Sequence, residues 1–284
     1  MTRATQLTDV VTVHGEGPVY SSRWAGIRWV DMLAGEILEL QPNGGVDRAR
    51  YGAVAAVFRP RRTPGMIVAI ERGLAMTDGD DLHAPVVARE PLWTDSNLRM
   101  NEGGCSPDGR FFAGSVTYDH EAGAATLYSF GHDLVPVTVV DHVTVSNGIE
   151  WSPDETRVYY VDSTTLRIDV FDWDAGRGLH NRRPFTSVEG GEPDGLTVDA
   201  EGGVWVAVWG GSAVHRYAPS GELSEVIEVP ARQVSALTFG GENLDELYIT
   251  TSRKGLGDGA EPGAGALFVA QPGVSGMPVR EFAG

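Results

Sequence analysis

The decapeptide Val145-Ser146-Asn147-Gly148-Ile149-Glu150-Trp151-Ser152-Pro153-Asp154 decides how the chain is read, because degraded copies of it recur along the sequence. Ser-Pro-Asp marks a turn, and the apolar run Val158-Tyr159-Tyr160-Val161 behind it reads as a buried strand. The same pattern follows Cys105, as Ser106-Pro107-Asp108-Gly109-Arg110 and then Phe111-Phe112-Ala113. It follows Val198 as Asp199-Ala200-Glu201-Gly202-Gly203 and then Val204-Trp205-Val206-Ala207-Val208. Weaker copies follow Tyr20, Phe58 and Phe239. The six anchors Tyr20, Phe58, Cys105, Trp151, Val198 and Phe239 lie 38, 47, 46, 47 and 41 residues apart. A period of that length accommodates four short strands. It predicts an all-β, six-bladed β-propeller with four antiparallel strands per blade, in one domain over residues 1–284.

Four residues before each anchor stand Glu16, Val54, Asn101, Asn147, Asp194 and Ser235. Equivalent positions of successive blades form a ring around the central channel, and five of these six are polar in apolar, glycine-rich surroundings. Polar groups at the start of innermost strands are costly to desolvate unless something binds them, so a metal site in the central channel, holding a hard cation, is expected. Arg99 and Asn101, two residues apart in an extended segment, point to one side. A guanidinium and an amide aimed at one opening suit a polyhydroxylated or carbonyl-bearing ligand.

Composition narrows the alternatives. A net charge of −17 over 284 residues argues against nucleic acid and anionic membranes as partners. The sole cysteine, Cys105, has no partner for an internal disulfide and reads as a small buried hydrophobe. Met1 to Asp9 hold no apolar core of a signal peptide, and no apolar run approaches the ~20 residues of a membrane span, so a cytoplasmic location is expected. Thr77-Asp78-Gly79-Asp80-Asp81 lacks the glutamate of a calcium loop and reads as a hairpin turn in a second blade at roughly 37–82. Residues 5–14 read as a strand that closes the ring against Val279-Arg280-Glu281-Phe282. The seven histidines show no ligand spacing and read as surface or satisfied core residues. No nucleophile elbow, zinc-protease helix or P-loop is present.

Taken in order, these motifs resemble the senescence-marker-protein-30/gluconolactonase/luciferin-regenerating family. The residues that carry the resemblance are Gly15-Glu16-Gly17-Pro18, Asn101-Glu102-Gly103 with Pro107-Asp108-Gly109-Arg110, Ser146-Asn147-Gly148-Ile149-Glu150-Trp151-Ser152, and Pro193-Asp194-Gly195 with Val198-Asp199-Ala200-Glu201-Gly202. Phe239-Gly240-Gly241 before Leu247-Tyr248-Ile249-Thr250 completes the set. The resemblance implies a six-bladed propeller with one divalent metal ion held by Glu16, Asn147 and Asp194. Calcium is the expected ion, with zinc, magnesium and manganese as alternatives. It also implies substrate contacts from Arg99 and Asn101, and from Asp119, which aligns with a family glutamate. Glu102 and Ser106 stand where the family usually has aspartates.

Two carboxylates and an amide leave coordination positions for water and a substrate oxygen, so the cation polarises a lactone carbonyl while Asp194 takes the proton of the attacking water. The expected activity is that of a lactonase acting on a small-molecule sugar lactone, with no obligatory protein partner. An organophosphate or aryl esterase on the same scaffold and a non-catalytic calcium-binding propeller are the alternatives.

Overall fold

The computed structural model describes residues 2–257, 259 and 261–284. Its strands assemble into six sheets, five of four strands and one of five. The first blade runs through Gly15–Val19, Arg28–Asp31, Glu36–Leu40 and Val46–Arg50, each strand antiparallel to the next. The second to fifth blades repeat that meander from innermost strands Ala55–Pro60, Leu98–Cys105, Ser146–Trp151 and Glu192–Val198. The sixth has Val234–Gly240, Glu246–Thr251 and Leu267–Ala270, and borrows its outermost strand, Thr5–Gln6, from the N-terminus. Cys105, Trp151 and Val198 end an innermost strand, Tyr20 lies just past one, and Phe239 and Phe58 lie one and two residues inside the end of theirs. Helical structure among the described residues is two short 3-10 turns, Met32–Ala34 and Ser163–Thr165, and no described helix is long and apolar enough to cross a membrane.

Burial falls from the axis outward, which is why the second strands carry the apolar runs. Val158 to Val161, Val204 to Val208 and Met66 to Ala69 are buried on both faces between neighbouring blades, whereas the outer strands Val46–Arg50 and Val86–Ala88 lie largely in water. Between the third and fourth blades Trp151 meets Phe112 edge-on at 5.1 Å and Trp173 at 5.5 Å, in the geometry that aromatic quadrupoles favour. Cys105 is buried, and burial pushes its thiol up to about 12.

Two expectations need correction. The second blade spans Ala55 to Ala88, not 37–82, because Glu36–Leu40 and Val46–Arg50 pair inward with the first. A repeat period does not set the phase of the blades. The N-terminal strand closes the ring against Leu267–Ala270 rather than against residues 279–282. That pairing completes a sheet otherwise one strand short and removes an open edge.

The C-terminal segment instead crosses the underside as a strap. Gly276 bridges Asp199 of the fifth blade, and Arg280 reaches Glu155 of the fourth at 3.5 Å. Phe282 bridges Arg61 of the second blade, and the Ala283 N–H donates to the Gly109 carbonyl of the third at 2.9 Å. Phe282 itself is fully buried among the core side chains of the first three blades. Phe282→Ala should therefore cost about 3–5 kcal/mol, the range for emptying a buried aromatic site. The outcome is a lowered midpoint in thermal and denaturant unfolding, with the native far-ultraviolet spectrum retained.

Candidate active site in the channel

Every innermost strand departs from regular pairing near its upper end. Glu16 pairs with Val30, and the next regular pair is Val19 with Arg28, which leaves one extra residue on the inner strand. The same surplus lies between Met100 and Gly103, Ser146 and Ile149, Pro193 and Leu196, Val234 and Ala236, and Ala55 and Val57. Such bulges kink a strand and re-aim its side chains. In five blades the residue at or beside the bulge is the polar ring residue: Glu16, Asn101, Asn147, Asp194 or Ser235. The residue that follows is glycine in three of them: Gly17, whose φ of 46° lies in the left-handed region, and Gly148 and Gly195, where the strands crowd together. A Cβ on Gly148 would lie 2.4 Å from the Leu196 nitrogen, and one on Gly195 would lie 2.8 Å from the Ala236 Cα. The third blade places Glu102 there instead.

Above the bulges lies an open cavity of about 150 Å³ that Glu16, Arg99, Asn101, Asn147 and Asp194 line together. These five side chains are buried. Arg99 Nη1 donates to Asn101 Oδ1 at 2.8 Å, as the shared side of an extended strand requires. Asn101 Nδ2 donates to the Ser146 carbonyl at 2.8 Å and to Asn147 Oδ1 at 3.2 Å. Asn147 Nδ2 donates in turn to Ser163 Oγ at 2.8 Å, so its amide oxygen faces Asn101 and the channel. Ser235 turns away from this chain and donates to the Gly15 carbonyl at 2.5 Å. Below Asn101, Glu102 and Arg59 line a separate, enclosed void of about 40 Å³ together with Glu150 and the strap residue Arg280.

Charge in the channel is only partly compensated. Glu16 Oε2, Asp194 Oδ1 and Glu102 Oε2 are buried and have no hydrogen-bond partner among the described residues. Burial first, then the facing carboxylates, raises Glu16 and Asp194 well above the usual carboxylate range. Burial also raises Glu102, to about 7, against the opposing pull of Arg59 at 3.9 Å. Orphaned oxygens on two neighbouring carboxylates, with an amide oxygen beside them, are the donor set that a hard divalent cation takes. The residues present fit such an ion. Among the described residues no three His, Cys, Asp or Glu side chains gather as a metal cluster, so the ligand count here depends on the amide.

The profile of the SMP-30/gluconolactonase/LRE-like family matches residues 14–253. The chain belongs to that family. The Bacillus subtilis (strain 168) protein YvrE, provisionally named a sugar lactone lactonase, is 31% identical, with 97% of each chain covered. Among solved structures, a luciferin-regenerating enzyme superposes with a TM-score of 0.91 at 25% identity over 100% of both chains. Regucalcin from Agrobacterium tumefaciens str. C58, described as a calcium-binding protein, gives 0.90 at 25% identity over 99% of this chain and 97% of its own.

The family motifs do not account for the whole wall. Asp119 does not line the cavity; it is exposed, and its carboxylate accepts from Asn97 Nδ2 at 3.0 Å. The adjacent His120 lines the cavity instead. His14, read from the sequence as a surface or satisfied core residue, also lines it, 5.9 Å edge-on from Trp209 and 2.9 Å from Ser252 Oγ through Nδ1. Burial, then Arg99, lowers His14 to about 3, which keeps its imidazole neutral. Sequence reasoning also missed Glu192, Ser163 and Lys254. A signal existed for two of these residues. His14 and Glu192 stand two positions before Glu16 and Asp194, hence on the same side of an extended strand.

Carboxyls whose pKa values rise on folding stabilise the protein fully below their unfolded values and lose that contribution as pH climbs through the folded ones. Chelator-treated protein should therefore lose thermal stability as pH rises from about 4.5 to about 7, the interval spanned by Glu102. Excess calcium should restore most at the upper end, where Glu16 and Asp194 gain most from a counter-charge. Melting curves across that interval, with and without calcium, provide the check.

Proposed function

We propose that the protein is a divalent-metal-dependent lactonase that opens the cyclic ester of a sugar lactone. The observation that carries this reading is the convergence, in one small cavity, of orphaned carboxylates and an amide with a hydrogen-bonded Arg99–Asn101 pair. Membership of a family that includes gluconolactonases supports the ester class. Glu16, Asn147 and Asp194 would hold the ion, with calcium preferred by their oxygen donors. Such an ion supplies Lewis-acid polarisation of a carbonyl oxygen and makes water a competent nucleophile at neutral pH.

The chain's own side chains do the rest. Asp194, with Oδ1 unpartnered, takes the proton of the attacking water as general base. Arg99 holds the sugar, its Nε free of any partner among the described residues and its Nη1 fixed on Asn101 and the Met100 carbonyl. Asn101 is tied to Ser146 and Asn147 and keeps that guanidinium pointed into the cavity. Asp119, on the exposed loop beside the cavity-lining His120, meets the sugar at the mouth. Confinement of the ester in about 150 Å³ between His14, Trp209 and the bulged strands limits competing water and strengthens each polar contact.

Asp194→Asn retains an oxygen but removes the basic carboxylate. Lactone hydrolysis should fall by at least ~10²-fold, the lower end of general-base effects, and excess metal should not restore it. Asn147→Ala, which removes an acceptor unable to take up a proton, should regain activity as metal is raised. Recovery of Asp194→Asn to near the wild-type rate would assign Asp194 to metal binding alone. Arg99→Ala should reduce kcat/KM by about 2–4 kcal/mol while calcium affinity, measured by calorimetry, stays nearly unchanged. An unaltered kcat/KM across a lactone panel would place the sugar elsewhere.

A further inference from the structure

Besides the carboxylates, the cavity lining carries two cations, Arg99 and Lys254, and neither forms an ion pair among the described residues. Lys254 is held in place through its backbone. Its N–H donates to Ser252 Oγ at 3.1 Å, and its carbonyl accepts from Gln233 Nε2 at 3.2 Å. The preceding residue, Arg253, donates its N–H to the Val13 carbonyl at 2.9 Å, which ties this segment to the chain just ahead of the strand that carries Glu16. The ammonium is thus delivered to the wall by an anchored loop, half-buried, beside a guanidinium that is fully buried.

Once a divalent ion satisfies Glu16 and Asp194, the charges of Arg99 and Lys254 remain uncompensated in the cavity. Glu192, the other carboxylate of the wall, is exposed at the rim and pairs with neither among the described residues. Burial, and then Arg99, lowers the Lys254 ammonium below the usual lysine range. An anion between the two cations would offset both effects. Neutral sugar hydroxyls do not require this arrangement, because amides and hydroxyls suffice for them.

We propose that Lys254, acting with Arg99, selects lactones that carry an anionic substituent, a carboxylate or a phosphate, on the sugar. The proposal rests on the lactonase reading and names its substrate class. Charge-assisted hydrogen bonds from two cations would favour such substrates by about 10- to 100-fold over the neutral lactone.

The test compares three lactones with one ring: glucono-1,5-lactone, its 6-phosphate and the corresponding 6-carboxylate. In calcium-loaded protein, kcat/KM for at least one charged lactone should exceed the neutral value by about 10-fold or more, and rising salt should erode the preference. Whichever of the two leads identifies the anion. The preference should collapse toward unity in Lys254→Met and persist in part in Lys254→Arg, with thermal melts confirming that both fold. A wild-type preference for the neutral lactone, or a preference unmoved in Lys254→Met, overturns the proposal.

Calorimetry with the open-chain acids separates this outcome from failure of the lactonase reading. If no lactone is hydrolysed, that reading falls. Tighter binding of the 6-phosphate or dicarboxylate than of gluconate, lost in Lys254→Met, would still uphold the anion site. Equal binding of all three acids would remove it.

Discussion

Six innermost strands converge on one axis, and the lack of room between them is the constraint on which the channel depends. Neighbouring backbones approach so closely at Gly148 and Gly195 that no Cβ fits. A regular strand in that space could not send side chains toward the axis without collision. The bulge in each innermost strand resolves the conflict by adding one residue and turning the ring side chain toward the opening. Glu16, Asn101, Asn147 and Asp194 consequently share one cavity although up to 178 residues separate them in sequence.

The third blade uses its bulge differently, and this divides the channel into two levels. Asn101 faces the upper cavity, and Glu102, where three other blades have glycine, enters the space beneath. Its carboxylate raises Glu16 and Asp194 from below, while Arg59 partly offsets its own charge. The strap seals the lower end and contributes Arg280 beside Glu150. The upper carboxylates are therefore enclosed by protein beneath and open only at the mouth. Desolvation, the largest cause of their raised pKa values, follows from that enclosure.

The cavity brings cations together with its carboxylates. In a chain of net charge −17, Arg99 and Lys254 both line this one cavity. Tyr118 supports this arrangement, with its ring 5.7 Å from the Arg99 guanidinium. Burial, then Arg99 and Lys254, keeps His14 neutral, so it adds no third positive charge.

The sequence alone determined whatever is written locally and repeated. The turn-and-strand period yields six blades, and the offset of four residues from each anchor locates the ring positions, because each blade solves the same packing problem with the same short pattern. The two-residue spacing of Arg99 and Asn101 foretells their hydrogen bond for the same local reason. What only the tertiary structure decided depends on pairings between distant segments that no period encodes. Thr5–Gln6 chooses Leu267–Ala270, Phe282 docks under the second blade, and Ser252 lies beside His14 across 238 residues. Lys254 reaches the cavity only because Val13 and Gln233 hold its loop there. Its position on the wall is fixed by hydrogen bonds to segments distant in sequence, and an isolated lysine in a glycine-rich loop carries no trace of them.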